Sequence, residues 1–65
     1  MKNKAFIEGV AIIGKHAPEE DDWNLCAEHD QIWFGAYEWV NDEKDIARLE
    51  ELGWFEDNDS WSCYT

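Results

Sequence analysis

The sequence predicts a small α+β fold: an antiparallel sheet of three to four strands with two helices packed on one face, in the order α-β-β-α-β(-β). Three observations lead to it. An apolar stripe of helical period runs through the first fifteen residues. Two alternating stretches flank a polar turn in the middle of the chain. A capped, amphipathic segment then ends on Gly53 and leads into a second aromatic, strand-like region.

In the first element, Phe6, Ile7, Val10, Ala11 and Ile13 recur at three- and four-residue spacing, with Asn3 placed to cap the helix. Gly9 costs about 1 kcal/mol relative to Ala inside a helix, so its use there suggests close packing. Gly14 suits the helix end, and Pro18 prevents continuation. Residues 17–23 follow as an acidic loop whose four consecutive carboxylates, Glu19, Glu20, Asp21 and Asp22, repel one another and favour an exposed, extended chain. Residues 24–28 and 31–37 read as a hairpin closed by the polar Glu28-His29-Asp30-Gln31. Leu25, Ala27, Ile32, Phe34 and Ala36 take one face, and Trp33, Gly35 and Tyr37 the other.

Asn41 or Asp42 caps the second helix, and Asp42, Glu43 and Asp45 suit the positive end of its dipole. Ile46, Leu49 and Leu52 share its inner face, and Gly53 closes it. Trp54-Phe55-Glu56 begins a third strand, Asp57-Asn58-Asp59 is a turn, and Ser60 to Tyr64 forms a last strand with Trp61 and Cys63 on one face.

Size and charge narrow the function. The chain has 65 residues, 16 Asp+Glu against 5 Lys+Arg, and a net charge of -11. Residues 1–65 form one domain, since either half would fall below the size that supports a core. Apolar residues at 45% are too many for a disordered acidic tail. No apolar stretch approaches the ~20 residues of a membrane span. Five dispersed cations cannot outweigh sixteen acids beside phosphates, which excludes direct binding of nucleic acid. Three of the five Trp are expected in the core, and Trp23 and Trp39, beside acids, are candidate contact residues.

Catalytic and metal-binding patterns are weak. Cys26 and His29 lack a third orienting group for nucleophilic catalysis. Cys26-x2-His29 has ligand-like spacing, but no second close pair accompanies it, so neither metal nor other cofactor is expected. Asp57-Asn58-Asp59 lacks the glycine and the distal acidic ligand of a calcium loop. No secretory signal is visible, so Cys26 and Cys63 are read as reduced thiols of a cytoplasmic protein; they would pair only if their strands were neighbours.

The acids are the remaining signal. Crowded carboxylates weaken a compact state through self-repulsion, so their retention suggests a basic partner, although solubility alone explains any single cluster. A chain of this length has a radius of gyration of ~11 Å and a diameter of roughly 28 Å. Duplex DNA carries about 16 phosphates over that length, from one charge per ~1.7 Å. The candidate partner-binding residues are Glu19, Glu20, Asp21, Asp22 and Trp23, then Glu28 and Asp30, then Glu38 and Trp39, and finally Asp42, Glu43 and Asp45.

The segments Ala27-Glu28-His29-Asp30-Gln31-Ile32-Trp33-Phe34 and Leu49-Glu50-Glu51-Leu52-Gly53-Trp54-Phe55, together with the closing Trp61-Ser62-Cys63-Tyr64-Thr65, resemble small proteins of phages and mobile elements. These cover a little over half the chain. The length, the acidity and the opening Met1-Lys2-Asn3-Lys4-Ala5-Phe6-Ile7 resemble anti-CRISPR proteins acting on type I-C systems. The resemblance implies a non-enzymatic inhibitor, monomeric and located in the cytoplasm of an infected bacterial host. It would bind a basic DNA-receiving surface of the type I-C surveillance complex (Cascade), on the large subunit or the backbone, and block target DNA or its PAM. It carries over no site residue; those named above come from charge alone. The alternatives are an antitoxin or another acidic module inhibiting a different basic host protein or nuclease, a metal-dependent or thiol enzyme, and an acidic fold with no charged partner.

Overall fold

The computed structural model describes residues 2–18 and 25–65. The first helix, α1, spans Asn3–Lys15, with Lys2 at the capping position and no side-chain cap. Asn3 is therefore the first helical residue, not the cap. The helix also passes through Gly14, because Gly14 does not turn left-handed; the end comes one residue later, where the His16 amide donates to Ile13 O at 3.1 Å. Phe6, Gly9, Val10 and Ile13 face inward. Ile7, expected in the stripe, lies outside it at 64% exposure, and Ala11 is also exposed.

Strand β1 (Leu25–Glu28) and strand β2 (Gln31–Ala36) form the expected hairpin, joined at His29-Asp30 with His29 at φ 54°. A 3₁₀ turn, Tyr37–Trp39, leads toward helix α2 (Glu43–Leu52). Asp42 is its cap: the carboxylate accepts from the Lys44 amide at 2.9 Å. Gly53 ends it at φ 101°, a left-handed conformation that side chains disfavour. Strand β3 (Phe55–Asp57) and strand β4 (Ser60–Tyr64) close on Asn58-Asp59, both at positive φ, as the tight hairpin turns matching sheet twist require. The four strands are antiparallel in the order β1-β2-β4-β3. The α+β order and the two helices on one sheet face are as expected.

The core lies between the helices and that face. Ile13, Phe34, Val40, Leu49, Trp54, Trp61 and Cys63 are buried there. Two Trp, Trp54 and Trp61, are wholly inside; Trp39 is half-buried against the cluster and Trp33 half-buried on the other face of the sheet. The strict alternation expected for residues 31–37 breaks at Gly35. Phe34 pairs with Trp61 and Ala36 with Ser60, so one extra residue bulges at Gly35, φ 73°. The phase reverses there. Ala36 leaves the core face, and Tyr37 joins it, its ring centroid 4.6 Å from that of Trp61.

Cys26 and Cys63 do not pair. β2 separates their strands, Cys26 lies across from Trp33 and Cys63 across from Ile32, so they sit on opposite sheet faces, one exposed and one buried.

Candidate functional site

The register fixes what the open face of the sheet carries. Glu28, Gln31 and Tyr64 form one row. Cys26, Trp33, Ser62 and Phe55 form the next, and Ala36, Ser60 and Asp57 the third. Two aromatic rings, Phe55 and Tyr64, meet at 5.2 Å. Beneath them a polar network holds the face rigid. Gln31 Nε2 donates to Asp57 Oδ2 and to Ser62 Oγ, each at 2.8 Å; Trp33 Nε1 donates to Asp57 Oδ2 at 3.1 Å; and Ser62 Oγ donates to Ile32 O at 2.9 Å. Ser62 is fully buried under these side chains, and its hydroxyl is satisfied.

Charge is divided between the two layers. With their cap residues Lys2 and Asp42, α1 and α2 carry all five cations (Lys2, Lys4, Lys15, Lys44 and Arg48) and six acids (Glu8, Asp42, Glu43, Asp45, Glu50 and Glu51), so the helical layer is nearly neutral, at -1. The sheet and its connections carry Glu28, Asp30, Glu38, Glu56, Asp57 and Asp59, with no Lys or Arg. Glu19, Glu20, Asp21 and Asp22 supply the remaining four charges; they and Trp23 lie outside the described residues. Among the described residues, 12 acids against 5 cations leave a net charge of -7, of which -6 lies on the sheet and its connections.

The ion pairs are confined to the helical layer among the described residues. Arg48 grips Glu8 with two bonds, Nε to Oε2 at 2.6 Å and Nη2 to Oε1 at 2.9 Å, and lies 4.0 Å from Glu51. His16 Nε2 and Lys15 Nζ converge on Asp45 Oδ2 at 2.7 and 2.9 Å. The His16 hydrogen bond, then that of Lys15, holds the Asp45 carboxyl below its ordinary range; the Arg48 hydrogen bond does the same for Glu8. Burial pushes the Cys63 thiol up, which keeps it protonated and inert.

The twelve predicted contact residues therefore separate. Glu28, Asp30 and Glu38 are exposed in or beside the sheet, with no ion pair among the described residues. Asp42 and Glu43 are exposed at the start of α2, and Asp42 is engaged as its cap. Asp45 is committed to the interhelical cluster, and Trp39 supports the core against Gly35, so neither stands free as a contact. Asp57, Trp33, Phe55 and Tyr64 were not among those candidates, yet they form the open face. Their signal was the alternation of Phe55 with Asp57 across from Ser60, Ser62 and Tyr64.

No hydrogen bond links Cys26 to His29, and no three His, Cys, Asp or Glu side chains are grouped to hold a metal, among the described residues. No described helix is long and apolar enough to cross a membrane. Comparisons with protein-family models, curated proteins and solved structures return no match to this chain.

Proposed function

We propose that the protein is a non-enzymatic inhibitor that presents its acidic sheet layer as a DNA-like surface to the type I-C surveillance complex and blocks target DNA or PAM binding. The partition of charge carries this reading: a nearly neutral helical layer behind a sheet layer that bears carboxylates and no Lys or Arg. A lysine- and arginine-lined groove attracts such a face, and the attraction acts over about a Debye length, ~8 Å at physiological salt. The molecule measures 28 Å along its longest axis, the length over which a duplex presents about 16 phosphates. The choice of partner rests on the resemblance of the length, the acidity and residues 1–7 to anti-CRISPR proteins acting on type I-C systems; the mode of binding rests on the charge map.

The test is binding to the purified type I-C complex, with and without target DNA, at two salt concentrations. Binding that DNA prevents and that weakens with salt is expected. Glu28→Lys with Glu38→Lys should weaken binding more than tenfold, while Glu43→Lys with Glu50→Lys, on the helical layer, should change it less than twofold. Equal losses from both pairs would refute the sheet layer as the contact. Binding unaffected by DNA and by salt would refute mimicry, and no binding would refute the partner.

A further inference from the structure

At one end of the open sheet face, Glu28, His29, Asp30, Gln31, Trp33 and Tyr64 line a shallow pocket of about 430 Å³. Its charged groups are both acceptors, while the His29 imidazole and the Tyr64 hydroxyl at its edge can donate or accept. The Trp33 indole N–H is used on Asp57, and both protons of the Gln31 amide are used on Asp57 and Ser62. The Glu28 and Asp30 carboxylates, by contrast, have no hydrogen-bond or ion-pair partner among the described residues, and they are exposed. The Asp30 main-chain carbonyl is taken by the Thr65 amide at 2.7 Å, which ties the chain after Tyr64 to the hairpin turn. The pocket thus offers two aromatic rings and two free carboxylates, while its indole and amide donors are already occupied.

We infer that this pocket receives an arginine side chain of the partner. A guanidinium has five donors and no acceptor, stacks flat on aromatic rings, and forks onto carboxylates. It is the side chain that matches two free carboxylates beside two π-faces, and its charge complements a layer with no Lys or Arg. Lysine fits less well, since an ammonium is a compact, strongly hydrated point charge that does not stack. Trp33 is held in place by its hydrogen bond to Asp57, which Gln31 also bonds, so one ring is preorganised; Tyr64, 60% exposed beside Phe55, forms the outer wall. Arginine insertion here deepens the proposed function, and rests on it for the identity of the partner: it gives an otherwise diffuse electrostatic contact a single desolvated anchor.

The test uses the full chain alone and N-acetyl-arginine amide as the probe, followed by two-dimensional NMR. Saturable shifts at the Trp33 indole N–H and at residues 28–31 and 64 are expected, with smaller shifts from N-acetyl-lysine amide and none from the uncharged citrulline analogue. Tyr64→Ala should weaken arginine binding about fivefold, from the loss of a cation–π contact, and Glu28→Gln should weaken it further while both variants keep the wild-type spectrum elsewhere. Shifts scattered over all the acids, or identical responses to arginine and lysine, would overturn the proposal, as would no shift at all. Since the probe is free arginine, the pocket can fail while the protein still competes with DNA on the surveillance complex, and it can succeed while that complex is not bound.

Discussion

Replacing Gly9 with alanine should destabilise this protein, although the same change in an isolated helix would stabilise it by about 0.8–1.0 kcal/mol. A Cβ on Gly9 would overlap Nε1 and Cε2 of Trp54 and lie 2.7 Å from its Cδ1. The indole has nowhere to go. Trp54 is 1% exposed, and the Phe6 ring stacks against it at 5.9 Å with 21° between the planes. Overpacking of a tight core costs about 1–3 kcal/mol, and three overlapping ring atoms place this case at the upper end. Subtracting the helix-propensity gain leaves a net loss of about 2 kcal/mol. For a domain of this size that lowers Tm by roughly 8–16 °C. Thermal unfolding followed by tryptophan fluorescence measures it. The same substitution in a Trp54→Phe background, where the overlapping pyrrole atoms are gone, should cost clearly less, because the two sites share one contact. A Gly9→Ala protein as stable as the wild type, or more so, would refute the reasoning.

Two further outcomes follow from the ionisable groups. Asp45 is held below its ordinary range, so its contacts with His16 and Lys15 add stability above the unfolded carboxyl pKa of ~3.9 and lose it as pH falls through the folded value. The Tm gap between wild type and Asp45→Asn should therefore be open above the unfolded carboxyl pKa and narrow as pH falls below it; a gap constant with pH would count against the cluster. Cys26 is exposed and Cys63 buried with a raised pKa, so a thiol reagent should modify one cysteine per native molecule and the second only on unfolding. Equal labelling rates would contradict the assigned faces.

The elements legible in the sequence were those with local signals. Asp42 and Gly53 mark both ends of α2 because capping needs only neighbouring residues. The hairpin at His29-Asp30 and the turn at Asn58-Asp59 were legible for the same reason. The bulge at Gly35 was not, because an alternating pattern reads identically with or without an inserted residue; only the pairing of Ala36 with Ser60 reveals it. Simple alternation therefore puts Tyr37 on the open face, whereas its ring packs on Trp61. The role of Asp45 was hidden for another reason: its partner His16 lies 29 positions away, and local charge gives no sign of it. The confinement of Lys and Arg to residues 2–15 and 44–48 is visible in the sequence, but it gains meaning only once both stretches prove to be the same layer.

That layering makes the molecule electrically polar as a rigid body. In the field of a basic surface, the uncompensated carboxylates of the sheet are drawn inward, while Lys2, Lys4, Lys15, Lys44 and Arg48 are pushed away. The result is a torque as well as a pull, so a molecule arriving with its helices forward is rotated before contact. Random collisions are thereby converted into encounters with one orientation, which relaxes the main restriction on the association rate of two specific patches. Moving the five cations to the sheet would leave the net charge untouched and remove the torque.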